Sequence, residues 1–219
     1  MYLQLSSALR LCTAALLFYF TSCSPAKANK MNSDSTPTPT PEITDTITLG
    51  GGCFWCTEAI YSSIQGVFKV EPGYSGGQNP NPSYKQVCSG ATGHAEVIQV
   101  VFDPAQVSLK TLLGVFFKTH DPTTLNRQGA DIGTQYRSII LYRSSQQESL
   151  AREVINAMTE ARIYNTPIVT ELKAFEAFYR AEEEHLNYFQ RNPNQGYCQM
   201  VVQPKVEKFY KLFPELLKK

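Results

Sequence analysis

Tryptophan, histidine and methionine are scarce in this chain, with one, three and four copies among 219 residues. None of the three histidines is spaced against a cysteine in a metal-ligand pattern, so no metal site is expected. Charge of one sign is lacking too: twenty Lys and Arg face nineteen Asp and Glu, for a formal charge of +1. No basic run interleaved with aromatics occurs, which removes nucleic acid as an expected partner. Nor does any apolar run reach the roughly 20 residues that a membrane-crossing helix needs.

What is present fits one globular domain with appended sequence. The chain is 42% hydrophobic and 18% charged, and twelve Tyr and twelve Phe point to a pocket as well as a core. Residues 1–22 read as a targeting leader: Arg10 precedes the short apolar run Leu11–Phe20, and Thr21 and Ser22 then lead to Cys23. This resembles a lipoprotein-type signal peptide, with Cys23 the lipid-modified residue. A soluble secreted form cut nearby is the alternative. The expectation is export to a bacterial cell envelope, as a membrane-anchored lipoprotein or a periplasmic protein. Residues 23–44, with Thr-Pro repeats and few large apolar side chains, read as a disordered linker that holds the domain off a surface.

From Asp45 the pattern turns globular, and 45–219 is the expected catalytic domain. Alternation predicts strands at 47–49, 66–74, 94–102 and 136–143, with a short one near Ile168. Helical spacing predicts helices over 53–63, 108–118 and 144–162, another stretch near Tyr179, and a C-terminal helix. Mixed strands and helices with crossover links imply an α+β fold, a two-layer sandwich.

Six cysteines remain to be placed. Cys12 lies in the leader and Cys23 directly after it, and the other four, Cys53, Cys56, Cys88 and Cys198, are too few to staple so large a domain. They read as reactive or buried thiols. The densest signal is Gly50-Gly51-Gly52-Cys53-Phe54-Trp55-Cys56. Three glycines between a strand and a helix allow a sharp turn and set Cys53 at a helix N-terminus, where free N–H groups favour a thiolate. Phe54 and Trp55 are either core aromatics or an apolar wall for a methyl or thioether group. Cys53 and Cys56 form C-x-x-C at a helix start, a spacing that disulfide exchangers use, although Cys56 also fits as a small packing residue.

Further segments join this one in order: Gly73-Tyr-Ser-Gly-Gly77, Asn81 through Gly90, Thr92-Gly-His-Ala-Glu96, His120-Asp-Pro122, Arg127-Gln-Gly129 and Gly133 through Ser138. Together they resemble the A-type peptide methionine sulfoxide reductases from about Thr46 to Cys198. The resemblance implies a ferredoxin-like plait core with a long irregular C-terminal segment. It implies reduction of methionine-S-sulfoxide in oxidised proteins, and of the free compound, by a monomer with no bound cofactor.

It also assigns roles. Cys53 attacks the sulfoxide sulfur, and Glu96 is the acid that protonates its oxygen. Tyr84 and Tyr136 hold that oxygen, while Phe54, Trp55 and Asp131 line the pocket. Cys53 becomes a sulfenic acid, a species that condenses with a second thiol. Cys198, on a mobile C-terminal segment, matches the first resolver. Cys56 stands where Gly is commoner, and either resolves directly or takes the disulfide over from Cys198. Thioredoxin or a similar dithiol is the implied reductant. Cys88 reads as structural, His120 as a charge suiting a helix end, and His94 and His185 carry no assigned role. Three rivals stay in view: a thioredoxin-like exchanger on Cys53 and Cys56, a cysteine hydrolase pairing Cys53 with His94 or His120, and a binding module.

Overall fold

A computed structural model describes residues 43–219; the leader, Cys23 and nearly all of the linker lie outside them. In chain order the elements are β1 (Asp45–Gly51), α1 (Phe54–Tyr61), β2 (Val67–Ser75), α2 (Tyr84–Cys88), β3 (Ala95–Phe102) and α3 (Leu109–Thr119). They continue through β4 (Arg127–Gln128), β5 (Asp131–Ile132), β6 (Ser138–Tyr142), α4 (Ser145–Glu160), β7 (Glu171–Ala174) and β8 (Phe178–Arg180). The short α5 (Tyr188–Arg191) and the longer α6 (Gln203–Leu212) close the chain, with a wide π turn at Cys198–Val202 between them.

Six strands form one sheet in the order β7-β6-β1-β3-β2-β8. β1 pairs antiparallel with β3 and β6, and β2 antiparallel with β3. β1–α1–β2 and β3–α3–β6 are therefore two interleaved crossover units, the expected plait. The edge strand β7 joins β6 in parallel.

Period-two alternation decides which side chains reach the core. Ile98, Val100 and Phe102 of β3 pack with Ile47 and Leu49 of β1 against the helices. Ala95 and Val97 point the other way and join Ile139, Leu141, Phe175 and Phe178 in a smaller cluster. Glu96 shares parity with Ile98, so it faces the helical layer. Tyr61, fully buried, donates its hydroxyl to the Leu112 carbonyl at 2.8 Å and ties α1 to α3. Ser108 and Ser144 cap α3 and α4 by accepting from Thr111 and Gln147 N–H groups, as their sequences predict.

Three expectations about elements change. The stretch near Tyr179 is strand β8 instead of a helix, because Gly73, Tyr74 and Ser75 of β2 offer it an open edge. The strand expected near Ile168 begins only at Glu171, since the Val169 N–H donates to the Pro122 carbonyl in the loop after α3. An unforeseen helix, α2, starts at Ser83, whose side chain and that of Gln86 form a reciprocal capping box. Among the described residues no helix is long and apolar enough to cross a membrane.

Candidate active site

The glycines ahead of Cys53 are needed for their lack of a side chain. A Cβ on Gly50 would stand 2.9 Å from the Glu96 carbonyl, so β1 and β3 could not approach as they do. Gly52 has φ +93 and a Cβ there would meet the Gln128 side chain at 2.6 Å. This left-handed turn delivers Cys53 to the N-cap position of α1.

Cys53 and Glu96 are both buried, at 6% and 1% exposure. Phe54, first residue of α1, donates its N–H to Glu96 Oε2 at 3.1 Å. One of the free N–H groups at the helix start is thus taken by a carboxyl. Burial pushes the Glu96 pKa up to about 8, against the Phe54 hydrogen bond and with the help of Asp131 and Cys56 charge. The carboxyl is a protonated acid at neutral pH.

Cys53 behaves opposite to expectation. Its pKa is raised well above the ordinary thiol value, first by burial, then by its hydrogen bond to Cys56 and the charges of Cys56 and Glu96. The Trp55 N–H faces its sulfur and opposes this without prevailing. Cys56 lies one turn on, its N–H donating to the Cys53 carbonyl at 3.1 Å. The Cys56 pKa is lowered, first by the Cys53 hydrogen bond, against burial, and then by the Lys205 ammonium, whose Nζ stands 3.7 Å from its sulfur. The two shifts run in opposite directions, so within the pair Cys56 gives up its proton more readily than Cys53.

Aromatic side chains wall the site. Phe54 is a core residue at 1% exposure, 6.4 Å from the stacked Tyr84 ring and 5.2 Å from His185. Trp55 is half-buried and stacks on Tyr188 at 3.7 Å and 7°. Tyr84 and Tyr136 hydroxyls are held protonated by burial and by Glu96, which places both near the carboxyl. Asp131 accepts the Tyr197 hydroxyl at 2.7 Å. Tyr197, also raised by burial and by Cys53, stands between Asp131 and the nucleophile. Sequence reading passed over Tyr197; its place next to Cys198 was the available signal.

The other cysteines and the histidines divide sharply. Cys198 is fully buried, its N–H donating to Gln195 Oε1 at 3.0 Å, and its thiol is pushed up by burial and by Cys56. Cys88 is exposed at the end of α2, so it fills no core space and the structural reading fails there. His94 accepts the Gly77 N–H at 3.0 Å through Nδ1, and its Nε2 is 2.8 Å from the Asn79 carbonyl, which fixes a loop. His120 is held between the Phe116 carbonyl and the Ser138 hydroxyl. Burial lowers its pKa to about 4, so it is neutral and adds no charge at the helix end. With both rings engaged elsewhere, neither serves Cys53 as a hydrolase base. Among the described residues no group of three or more His, Cys, Asp or Glu is placed to hold a metal ion.

A buried thiol pair opposite a protonated carboxyl, on a plait with an aromatic cleft, defines a class of thiol oxidoreductases. The sequence model of the peptide methionine sulfoxide reductase family matches residues 45–216, and the chain belongs to that family. The peptide methionine sulfoxide reductase of Saccharolobus solfataricus is 55% identical over 171 residues, covering 78% of this chain and 96% of that protein. The one from Trichodesmium erythraeum is 52% identical over 171 residues, covering 78% and 97%. Among solved structures, methionine sulfoxide reductase A of Corynebacterium diphtheriae superposes with TM-score 0.65 at 37% identity, over 74% of this chain and 80% of that one. Reduced Mxr1 of Saccharomyces cerevisiae gives TM-score 0.66 at 36% identity, over 73% and 91%. The chain is thus an oxidoreductase that reduces methionine sulfoxide.

Proposed function

We propose that the domain reduces the S epimer of methionine sulfoxide, in oxidised proteins and as the free compound, through a thiol cycle begun by Cys53. One observation carries the reading: Glu96, uncharged up to about pH 8, sits under the start of α1 beside the buried Cys53. A sulfoxide oxygen leaves poorly until protonated, and a neutral carboxyl is the group that can protonate it. The Cys53 sulfur attacks the substrate sulfur while Glu96 gives its proton to the oxygen. The oxygen then passes to Cys53 as its S–O bond to methionine breaks. The proton that Cys53 releases restores Glu96, so methionine leaves reduced and Cys53 is left as the sulfenic acid.

Tyr84 and Tyr136, both protonated, are the donors that hold the oxygen, and Asp131 sets Tyr197 beside them. Phe54 and Trp55 exclude water from the thioether end. Cys56 is the first resolver in this reading, ahead of Cys198. Its support is the hydrogen bond between Cys53 and Cys56, whereas Cys198 bears on Cys56 and not on Cys53. The disulfide then passes to Cys198, and a thioredoxin-like dithiol reduces it. Comparing Cys56→Ser with Cys198→Ser tests the order: the first Cys53 disulfide is lost only in Cys56→Ser, and its loss only in Cys198→Ser would reverse it.

The place of action rests on sequence alone: a leader over 1–22, lipid on Cys23 and an extended linker over 23–44 support an enzyme tethered in the cell envelope. Mass spectrometry of the mature N-terminus tests it, and an unmodified terminus beyond Cys23 removes the anchor. The activity is tested with purified domain, dithiothreitol and resolved sulfoxide epimers. The expected outcome is consumption of the S epimer alone, abolished in Cys53→Ser; turnover of the R epimer would contradict the reading.

A further inference from the structure

We propose that Lys205 is a positioning residue for the recycling half of the cycle: its ammonium, set beside the Cys56 sulfur, favours the thiolate that attacks the Cys53 sulfenic acid. This rests on the reading that Cys53 passes through that acid. The geometry is specific. Lys205 lies in the first turn of α6, just after Pro204, and α6 packs against α1. Its Nζ reaches 3.7 Å from the Cys56 sulfur at a part-buried position. Among the described residues it forms no ion pair with a carboxylate. The Cys56 sulfur is thus the group on which the part-buried ammonium acts.

The groups around Cys56 make the role depend on the stage of the cycle. Cys53 faces it from its own helix start, Lys205 from α6, Asp131 from the β4–β5 hairpin, Tyr197 and Cys198 from the C-terminal turn, and Glu96 from β3. In the resting enzyme the Cys53 hydrogen bond contributes most to lowering the Cys56 pKa, with Lys205 second among the favourable partners. Burial and the Asp131 charge act against both. Once Cys53 is a sulfenic acid its S–H is gone, and Lys205 is the favourable partner that stays. The Cys56 thiolate then attacks the Cys53 sulfur. An S–S bond forms, the S–O bond breaks, and the departing hydroxide takes up a proton from solvent to leave as water. Cys53 sulfur is reduced as Cys56 sulfur is oxidised, so no outside reagent is needed until a dithiol reopens the bond.

The decisive comparison titrates Cys56 in a Cys53→Ser background, where the hydroxyl keeps a hydrogen-bond donor at position 53. Alkylation of Cys56 by iodoacetamide, read by mass spectrometry, is followed against pH with Lys205, Lys205→Met and Lys205→Arg. The expected result is an upward shift of the Cys56 midpoint by about one pH unit in Lys205→Met, that is about tenfold less thiolate at neutral pH. Lys205→Arg restores the midpoint. An unmoved midpoint in Lys205→Met overturns the proposal; if the Met variant does not fold, Lys205→Gln takes its place with the same expected shift. In the chain with Cys53 intact, one turnover without reductant should show the first disulfide forming about tenfold more slowly in Lys205→Met, the deficit closing as pH rises. Equal rates at every pH would also overturn it. Failure of the wild-type chain to release methionine would instead sink the reductase reading, and the alkylation series would still judge Lys205.

Discussion

The cleft is assembled from two halves of different make. Cys53 and Glu96 sit on the junction of β1 with α1 and on the end of β3, where sheet register and a positive-φ glycine fix them. The facing half, from Ala181 to Lys205, is built of short turns held by side-chain contacts. The Asn187 N–H donates to Glu58 at 2.8 Å, Tyr188 lies flat on Trp55, and Tyr197 donates to Asp131. In the proposed cycle the first half carries the bond-breaking chemistry and Cys56, and the second supplies Cys198 and the cation beside Cys56. Changes in the two halves should therefore separate: one set stops methionine release, the other slows the disulfide steps after it.

The largest effect is expected at the nucleophile. Cys53→Ser should lower S-epimer reduction by at least about a thousandfold, measured as methionine released in one turnover. Glu96→Gln should cost about a hundredfold to ten-thousandfold in the same assay, because a positioned acid contributes on that scale. A loss of only a few-fold would move Glu96 out of the protonating role. Tyr84→Phe and Tyr136→Phe should each slow release by about tenfold, the value of one lost hydrogen bond of about 1.4 kcal/mol to the developing charge. A fall confined to disulfide formation would place those tyrosines in the other half.

The smallest effect concerns stability. Glu58 is pushed up to about 7 by burial, against the hydrogen bonds from Asn187 and Tyr188, and its Oε2 has no partner. Its folded pKa lies above the ordinary value, so it is neutral and costs little at low pH, and the cost of a buried charge grows as pH rises from about 4.5 through about 7. Glu58→Gln should stabilise the fold above pH 7 by about 1–2 kcal/mol and change little near pH 5, read by denaturant unfolding. Equal effects at both values would show that the carboxyl stays uncharged throughout.

Legibility followed the same division. The strands, helices and caps of the plait follow from alternation and from Ser108 and Ser144, because local period decides them. The burial of Glu96 came only with the motif around it, since a strand Glu by itself reads as solvent-facing and both faces of β3 carry apolar residues. The thiol ionisation was not legible: a helix start favours a charged Cys53 by itself, and the Trp55 N–H does face its sulfur, but burial, Cys56 and Glu96, 43 residues away in sequence, outweigh it. Strand β8, Tyr197 and Lys205 were missed for a related reason. Each owes its place to a partner distant in the chain, the edge of β2, Asp131 and Cys56 respectively, and no local spacing encodes such contacts.

The most direct test of the central claim is the pH dependence of single-turnover methionine release by the wild-type domain and by Glu96→Gln. With a neutral carboxyl as the proton donor, the wild-type rate should fall as pH rises through about 8, and that fall should vanish in Glu96→Gln. A wild-type rate that holds level past that point, or a decline that survives in the Gln variant, would contradict it.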